Sequence, residues 1–257
     1  MMADAALSTL IGGVEEAFDP TVLFRRVVGE PDDWQVEYLQ SADRMTMLCI
    51  IRQGGKTTST GCLVAHTLAY QPGSTIVWTC PAERQAREGL RNVLAFKDAL
   101  GIAAVRSTMT ELELENGSRL VCVPSTSDTI RGFANLALIV MDEAAFFLDG
   151  QGGHSIFTAL VPALSSTGRV VMASTPNGQN NAFAEFWQGG GHDIRRIHVP
   201  AWRIPRMAEK VAFARQHLPK ARFEVEYGLK FAGSGSPFFD PEAVAAAFNP
   251  ERLALTL

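Results

Sequence analysis

The chain has 257 residues, of which 47% are hydrophobic and 19% are charged, and its formal net charge is −4. This length accommodates one large α/β domain, or a main domain with a small appendage, while the composition excludes a disordered chain. Because the balance is acidic, the chain as a whole does not attract nucleic acid, and DNA binding would need a local basic face.

Six apolar runs of strand length alternate with longer helix-like segments, which predicts a mostly parallel sheet flanked by helices. Segment 57–70 has the apolar spacing of a helix, and segment 81–100 begins with Pro and continues at helical period to Gly101. The pair Asn116-Gly117 predicts a hairpin turn. The six runs are Met45–Ile51, Ser74–Cys80, Arg119–Pro124, Leu136–Met141, Arg169–Ala173 and Ile194–Val199.

The pattern changes after Pro200. Residues 205–231 have the pattern of two short polar helices broken at Pro219, and the Gly, Ser and Pro residues that follow are typical of a linker. We therefore predict three parts: a core over 1–200, a small helical subdomain over 201–232, and a linker with a tail over 233–257.

The cysteines and the N-terminus indicate a reducing compartment. The four cysteines form no C-x-x-C pair, which favours buried free thiols over the alternatives of disulfides or a zinc site. No apolar run approaches the ~18 residues of a membrane span. The N-terminus is acidic where a signal peptide is basic, so we expect a cytoplasmic protein.

Residues 52–58, RQGGKTT, follow a predicted strand and precede a predicted helix, which is the setting of a phosphate-binding P-loop. The two glycines allow backbone N–H groups to approach phosphate oxygens at a helix N-terminus. Lys56 is expected to contact the β- and γ-phosphates of ATP, and the Thr57 hydroxyl to bind Mg²⁺. Ile50 occupies the position of the first glycine of the motif, so a glycine-rich turn with a surface lysine is the alternative.

The stretch LALIVMDEAAF, residues 136–146, has the pattern of a Walker B strand. Asp142 at the end of the strand can hold hydrated Mg²⁺, and Glu143 can activate water for attack on the γ-phosphate. A Glu directly after this Asp favours hydrolysis over phosphate transfer to an acceptor. The alternative, two solvated acids that end a strand, loses support because a P-loop candidate lies upstream.

Two other motifs contain polar side chains suited to the same site. In ASTPNG, residues 173–178, a Ser or Thr at a strand end can sense the γ-phosphate, or the segment is only a strand followed by a turn. In PDDWQVEYLQ, residues 31–40, the amide of Gln35 can bind the adenine edge, and Trp34 packs nearby or lies in the core.

Arginines suggest two further contacts. Arg131, beside a glycine on the loop before the Walker B strand, can contact the nucleotide of a neighbouring subunit as an arginine finger, or form an ordinary surface ion pair. A weaker pattern marks a DNA surface, for which a solvated helix face is an equal explanation. Its candidates are Arg84, Arg87 and Arg91 on one helix face, with Arg106 and Arg119 flanking the hairpin.

In order and spacing, these motifs resemble the ATPase domain of the large terminase subunit, the motor that packages DNA in tailed bacteriophages. The resemblance covers roughly residues 30–235 and rests on Gln35, RQGGKTT, TIRG, VMDEAAF and STPNG together. It implies a P-loop NTPase fold of the additional-strand, catalytic-glutamate type. Since this family often lacks the first loop glycine, Ile50 does not count against the site.

The resemblance also implies a role for each matching residue. Glu143 would be the catalytic base, Arg52 a cis-acting arginine near the γ-phosphate, and Arg131 the trans-acting finger. Asp142 and Thr57 would hold Mg²⁺, and Ser174–Thr175–Pro176 would be the coupling motif. The nucleotide-binding set would be Gln35, Arg52, Gln53, Gly54, Gly55, Lys56, Thr57 and Thr58.

By the same resemblance, residues 201–232 form a lid subdomain, which we call the lid segment. The implied cofactors are ATP and Mg²⁺. The implied partners are double-stranded DNA, the portal protein and the small terminase subunit. Further copies of the chain would form a ring, with a monomer in isolation as the alternative. The implied location is the cytoplasm of the bacterial host. The family usually carries a nuclease domain as well, but no acidic cluster follows the linker, so we expect no nuclease activity from this chain.

Two other functions are compatible with the motifs. A helicase-like ATPase acting on duplexes would use the same nucleotide site, although such enzymes normally carry two motor domains. A nucleotide-dependent scaffold would bind ATP without turnover, which the intact Lys56 and Glu143 disfavour.

Overall fold

A single mixed sheet organises the protein in the structure, a computed structural model that describes residues 13–125, 130, 132–148 and 150–231. The sheet has eight strands in the order β3-β4-β5-β2-β6-β7-β1-β8. The strands are β1 (Met45–Ile50), β2 (Thr75–Cys80), β3 (Ala104–Ser107), β4 (Glu111–Leu114), β5 (Arg119–Pro124), β6 (Leu136–Asp142), β7 (Leu164–Ser174) and β8 (Ile194–Val199).

Helices connect and cover these strands, and residues 13–18 are helical as well. The longer ones are α1 (Pro20–Val27), α2 (Asp33–Leu39), α3 (Lys56–Tyr70), α4 (Glu83–Leu100), α5 (His154–Leu160), α6 (Ala182–Gly189), α7 (Ala208–His217) and α8 (Lys220–Glu226). Short 3-10 turns occupy Ala144–Phe146, Val161–Ala163, Ala201–Arg203 and Pro205–Met207. No helix in the described part of the chain is long and apolar enough to cross a membrane.

The predicted sheet is confirmed, including all six apolar runs and the hairpin between β4 and β5. The strands β5, β2, β6, β7, β1 and β8 run parallel, whereas β3 and β4 add an antiparallel edge. The strand β3 has no apolar run that would have predicted it, because all four of its residues are exposed at the end of the sheet.

The strand order places β1, which leads into the P-loop, and β6, the Walker B strand, on either side of one other strand. β7 lies between β1, which precedes the P-loop, and β6, which ends at Asp142. This additional strand is the arrangement that the fold class predicts. Because the three strands are parallel, their carboxyl ends lie at one edge of the sheet, where open α/β sheets bind ligands.

The core is formed by the sheet and the helices packed on both of its faces. The middle of β6 is buried throughout, with Leu138, Ile139, Val140 and Met141 at most 2% exposed, as expected for a strand covered on both sides.

The four cysteines are buried free thiols, as predicted. Burial raises the pKa of Cys49, and likewise of Cys80, to about 12, so these thiols are protonated and unreactive at neutral pH.

The lid segment is described as far as Phe231 and contains the two predicted helices. Pro219 separates α7 from α8, as the sequence predicts. Buried side chains of the segment, such as Met207 and Phe223, belong to the same hydrophobic cluster as the core strands. The predicted linker and tail, 233–257, lie outside the described residues.

Candidate nucleotide site

The P-loop between β1 and α3 is a tight turn that requires glycine. A Cβ atom at Gly54 would lie 2.7 Å from Ile50 Cγ2 and 2.8 Å from the Ile51 carbonyl oxygen. Gly55 caps α3 with a φ of 104°, and Gln53 also has a positive φ, of 61°. Side chains other than glycine are strained in that region. A strained loop that aims a helix N-terminus at a cavity is typical of a phosphate site.

Lys56 and Glu143 meet where the P-loop faces the end of β6. Lys56 Nζ lies 2.9 Å from Glu143 Oε1, and only 6% of the lysine side chain is exposed. Glu143 has a φ of 54°, so its backbone is also strained. Its second carboxylate oxygen, Oε2, is buried without a hydrogen-bond partner among the described residues. One oxygen of Glu143 is therefore available for a further donor.

Thr57 and Asp142 form a second contact beside this pair. Thr57 Oγ1 donates a weak hydrogen bond to Asp142 Oδ2 over 3.4 Å, and the Glu143 backbone N–H donates to Asp142 Oδ1 over 3.1 Å. Burial raises the pKa of Asp142 to about 6, and the neighbouring Glu143 charge adds to that shift. A half-buried hydroxyl and a buried carboxylate supply the hard oxygen donors that Mg²⁺ prefers, so this donor set fits the predicted metal.

A cavity of about 270 Å³ lies over the P-loop, and its lining contains most of the predicted nucleotide-binding set. It is lined by Arg52, Gln53, Gly55, Lys56, Thr57, Thr58 and Glu143. A second cavity is lined by Arg52, Pro81, Gln85, Glu143 and Phe146. The Arg52 guanidinium lies 5.8 Å from the centre of the Phe146 ring, within the range of a cation–π contact.

The predicted coupling motif contacts the turn after Glu143. The Ala145 N–H donates to Ser174 Oγ over 3.2 Å, and Ser174 Oγ donates to the Thr175 carbonyl over 2.8 Å. Asn177 also donates to the Ala145 carbonyl over 3.0 Å. Ser174, Thr175 and Pro176 are buried, so the end of β7 is bonded to the turn that carries the acid pair.

Gln35 lies behind the P-loop, and its amide is already bonded to protein. Its Nε2 donates to Ser59 Oγ over 2.8 Å, and its Oε1 accepts from the Asp32 N–H over 2.8 Å. Only 5% of the residue is exposed. The amide therefore stabilises the start of α2 and packs against α3, while adenine recognition by Gln35 stays a prediction.

Two cationic side chains from the lid segment contact the P-loop, and sequence reasoning missed both. Arg206 Nη2 donates to the Gly54 carbonyl over 2.8 Å, and Lys210 Nζ donates to Gln53 Oε1 over 2.7 Å. No local pattern marks contacts between segments so far apart in the chain. The capping pattern Asp32-x-x-Gln35 is visible in the sequence and could have indicated the role of Gln35.

Four of the five arginines predicted for DNA form ion pairs close by in the chain. Arg87 pairs with Glu83 and Arg91 with Glu88 along α4. Arg106 and Arg119 both contact Glu111. Arg84 is exposed on α4. Arg131 lies outside the described residues, so its predicted role as a finger stays a prediction.

No protein-family model matches the chain. Among solved structures, the large terminase ATPase domain of Thermus phage P74-26 shares its fold with a TM-score of 0.69, a match that covers 83% of this chain and 99% of that one at 23% identity. The chain has the fold of a phage large terminase ATPase domain.

Two large terminases share this fold over part of their length. The HK97 bacteriophage enzyme matches with a TM-score of 0.59 at 15% identity, over 83% of this chain and 54% of that one. The large terminase of a thermophilic bacteriophage, in complex with ADP, matches with a TM-score of 0.60 at 11% identity, over 82% and 52%. The same thermophilic phage enzyme in complex with ATP-gamma-S gives a TM-score of 0.58 at 10% identity, over 78% and 53%. The chain thus spans about half the length of these enzymes.

Proposed function

We propose that this chain is the ATP-hydrolysing motor domain of a viral DNA-packaging terminase large subunit. The observation that carries the proposal is the 2.9 Å contact between Lys56 and Glu143 beside the P-loop cavity. It joins a phosphate-binding cation to a carboxylate that can accept a proton from water. The ADP and ATP-gamma-S complexes of the thermophilic phage enzyme support a nucleotide as the ligand.

In this proposal the P-loop binds the phosphates of ATP. Lys56 exchanges Glu143 for the β- and γ-phosphate oxygens, while the amides at the N-terminus of α3 bind the same anion. The side chains of Gln53, Thr58 and Arg52 complete the cavity wall. Gln35 provides the adenine contact through the donor hydrogen and the acceptor lone pair that its bonds to Ser59 and Asp32 do not use. Thr57 and Asp142 would hold Mg²⁺, which when bound offsets the negative charge of the phosphates.

Hydrolysis requires a base and positive charge at the γ-phosphate. Once Lys56 contacts phosphate, Glu143 is free to orient a water molecule and accept its proton. Arg52 supplies positive charge in cis, and Arg131 supplies it in trans from a neighbouring subunit. Preorganised charge of this kind lowers the barrier because the low-dielectric site strengthens each interaction.

Ser174, Thr175 and Pro176 would transmit the state of the site to the rest of the molecule, since Ser174 is bonded to the turn that follows Glu143. The core over 1–200 and the lid segment would then move relative to each other and advance double-stranded DNA into a procapsid. The partners would be the portal protein, the small terminase subunit and further copies in a ring, in the cytoplasm of the bacterial host.

The test is ATP hydrolysis by Glu143→Ala and Glu143→Gln, with nucleotide binding measured in parallel. We expect phosphate release to fall at least ~100-fold, because a positioned general base contributes about 10²–10⁴-fold. ATP affinity should stay within a few-fold of wild type. Equal loss of binding and hydrolysis would reject Glu143 as the base. Wild-type protein that binds ATP without turnover at high protein concentration, where a neighbouring subunit can supply Arg131, would favour the scaffold.

A further inference from the structure

Arg206 of the lid segment contacts both the P-loop and the residue that caps α2. One nitrogen, Nη2, donates to the Gly54 carbonyl over 2.8 Å, and another, Nη1, forms an ion pair with the Asp32 carboxylate. Arg206 is also close to Gly55, since a Cβ atom added at Gly55 would lie 3.6 Å from Arg206 Nη2. The guanidinium therefore lies directly against the backbone of the P-loop.

The Gly54 contact fixes the orientation of the Gly54–Gly55 peptide. A trans peptide unit is planar, so its C=O and N–H groups point in opposite directions. Because the Gly54 carbonyl points to Arg206, the Gly55 N–H of the same peptide unit points away from the lid segment. Gly55 lines the cavity proposed for phosphate, and because glycine on both sides tolerates more backbone conformations than other residues, this peptide depends on its hydrogen bonds for its orientation.

The Asp32 contact holds the guanidinium in place. The Asp32 carboxylate also accepts from Trp34 Nε1 over 3.3 Å, and the Asp32 N–H donates to Gln35 Oε1. Arg206 is thereby tied to the start of α2, on which Gln35 lies. A planar guanidinium holds a carboxylate and a carbonyl at once in a fixed geometry, whereas an ammonium group is a point charge on a more flexible stem.

We propose that Arg206 is a positioning residue of the nucleotide site, which orients the Gly54–Gly55 peptide so that the Gly55 amide binds phosphate. This inference rests on the proposed function, because it concerns the same ATP site. Lys210 supports the loop from the same side through its 2.7 Å bond to the Gln53 side chain. The lid segment thus takes part in binding phosphate without touching it.

The test is nucleotide affinity in Arg206→Met, which keeps the aliphatic stem and removes the donors. With fluorescent ADP and with ATP as probes, we expect binding to weaken about tenfold, the effect of losing one well-oriented charge-assisted contact. Turnover at saturating ATP should stay within about twofold, and Arg206→Lys should recover part of the affinity. Arg206→Ser provides a second substitution that removes the Gly54 bond.

Arg203→Met is the matched control. Arg203 is also an exposed arginine of the lid segment and also donates to a carbonyl, that of His198, over 3.0 Å, but it does not contact the P-loop. We expect Arg203→Met to bind nucleotide as wild type does. The unfolding temperature without nucleotide should be similar in both variants, since the Arg206 side chain is half-exposed.

The outcomes separate this inference from the proposed function. Wild-type affinity in both Arg206→Met and Arg206→Ser, or an equal loss in Arg203→Met, would overturn the role of Arg206 and leave the ATPase proposal intact. A wild-type protein that binds neither ADP nor ATP would overturn the proposed function itself. Weak binding confined to the Arg206 variants supports the inference.

Discussion

Asp142 and Glu143 are adjacent in the chain but lie in different surroundings. Asp142 is 5% exposed, and burial followed by repulsion from Glu143 raises its pKa to about 6. Glu143 instead pairs with Lys56. Two neighbouring carboxylates with different partners can perform different tasks, which agrees with Asp142 as the metal-side acid and Glu143 as the base.

The raised pKa of Asp142 predicts how stability depends on pH. Between about pH 4 and pH 6 the unfolded chain ionises this group before the folded protein does, so the free energy of unfolding falls as pH rises. Above about pH 6 the group is ionised in both states, and the free energy of unfolding stays lower by the full cost of burying the charge. Asp142→Asn removes this cost and should stabilise the protein at pH 7 by about 1–3 kcal/mol, at 1.36 kcal/mol per pKa unit.

Urea unfolding of wild type and Asp142→Asn, without Mg²⁺ or nucleotide, checks this prediction. The free energies of unfolding of the two proteins should be similar near pH 4, and the Asn variant should become the more stable of the two as pH rises to 7. Added Mg²⁺ should stabilise wild type more than the variant, because it binds the ionised carboxylate. An Asn variant that is less stable than wild type at pH 7 would show that the Asp142 charge is well compensated in the fold.

At the scale of the elements, the position of Lys56 and Thr57 depends on how α3 packs. These residues begin α3, whose middle passes very close to α4 at Gly61. A Cβ atom at Gly61 would lie 2.8 Å from Asn92 Cβ and 3.4 Å from the Val93 nitrogen. The close approach of the two helices therefore depends on the absence of a side chain there.

Gly61→Ala should force α3 away from α4 and lower the free energy of unfolding. The overpacking cost of about 1–3 kcal/mol exceeds the ~1 kcal/mol that alanine gains over glycine in a helix. Thermal unfolding should show a lower midpoint for Gly61→Ala. Gly189→Ala is the control, because a Cβ atom at this last residue of α6 would meet no atom within 4 Å; a Gly61→Ala protein as stable as this control would contradict the packing argument.

For the whole molecule, the sequence predicts the sheet better than it predicts the contacts at its edge. Runs such as Leu136–Met141 are apolar because both faces of the central strands are buried. A continuous apolar run therefore predicts a central strand of the sheet. The motif order likewise indicates the fold that the P74-26 and HK97 structures share. The exposed edge strand Ala104–Ser107 lacks that signal.

The candidate site was predictable only where its residues belong to a local motif. Lys56 and Glu143 each lie in a recognisable pattern, and their meeting follows from two parallel strands that end at one edge. Arg206 and Lys210 lie in no motif, and their contacts with the P-loop depend on the fold of distant segments. Gln35 lies beside the loop, and its bonds to Ser59 and Asp32 depend on packing that periodicity does not encode.

A crystal structure of the protein with Mg²⁺ and a non-hydrolysable ATP analogue tests the central claim most directly. We predict that the γ-phosphate lies in the P-loop cavity with Lys56 bound to it, and that the 2.9 Å contact between Lys56 and Glu143 is replaced by a contact of each with the nucleotide or its attacking water. An analogue bound elsewhere on the protein, with Lys56 still paired to Glu143, would contradict the account.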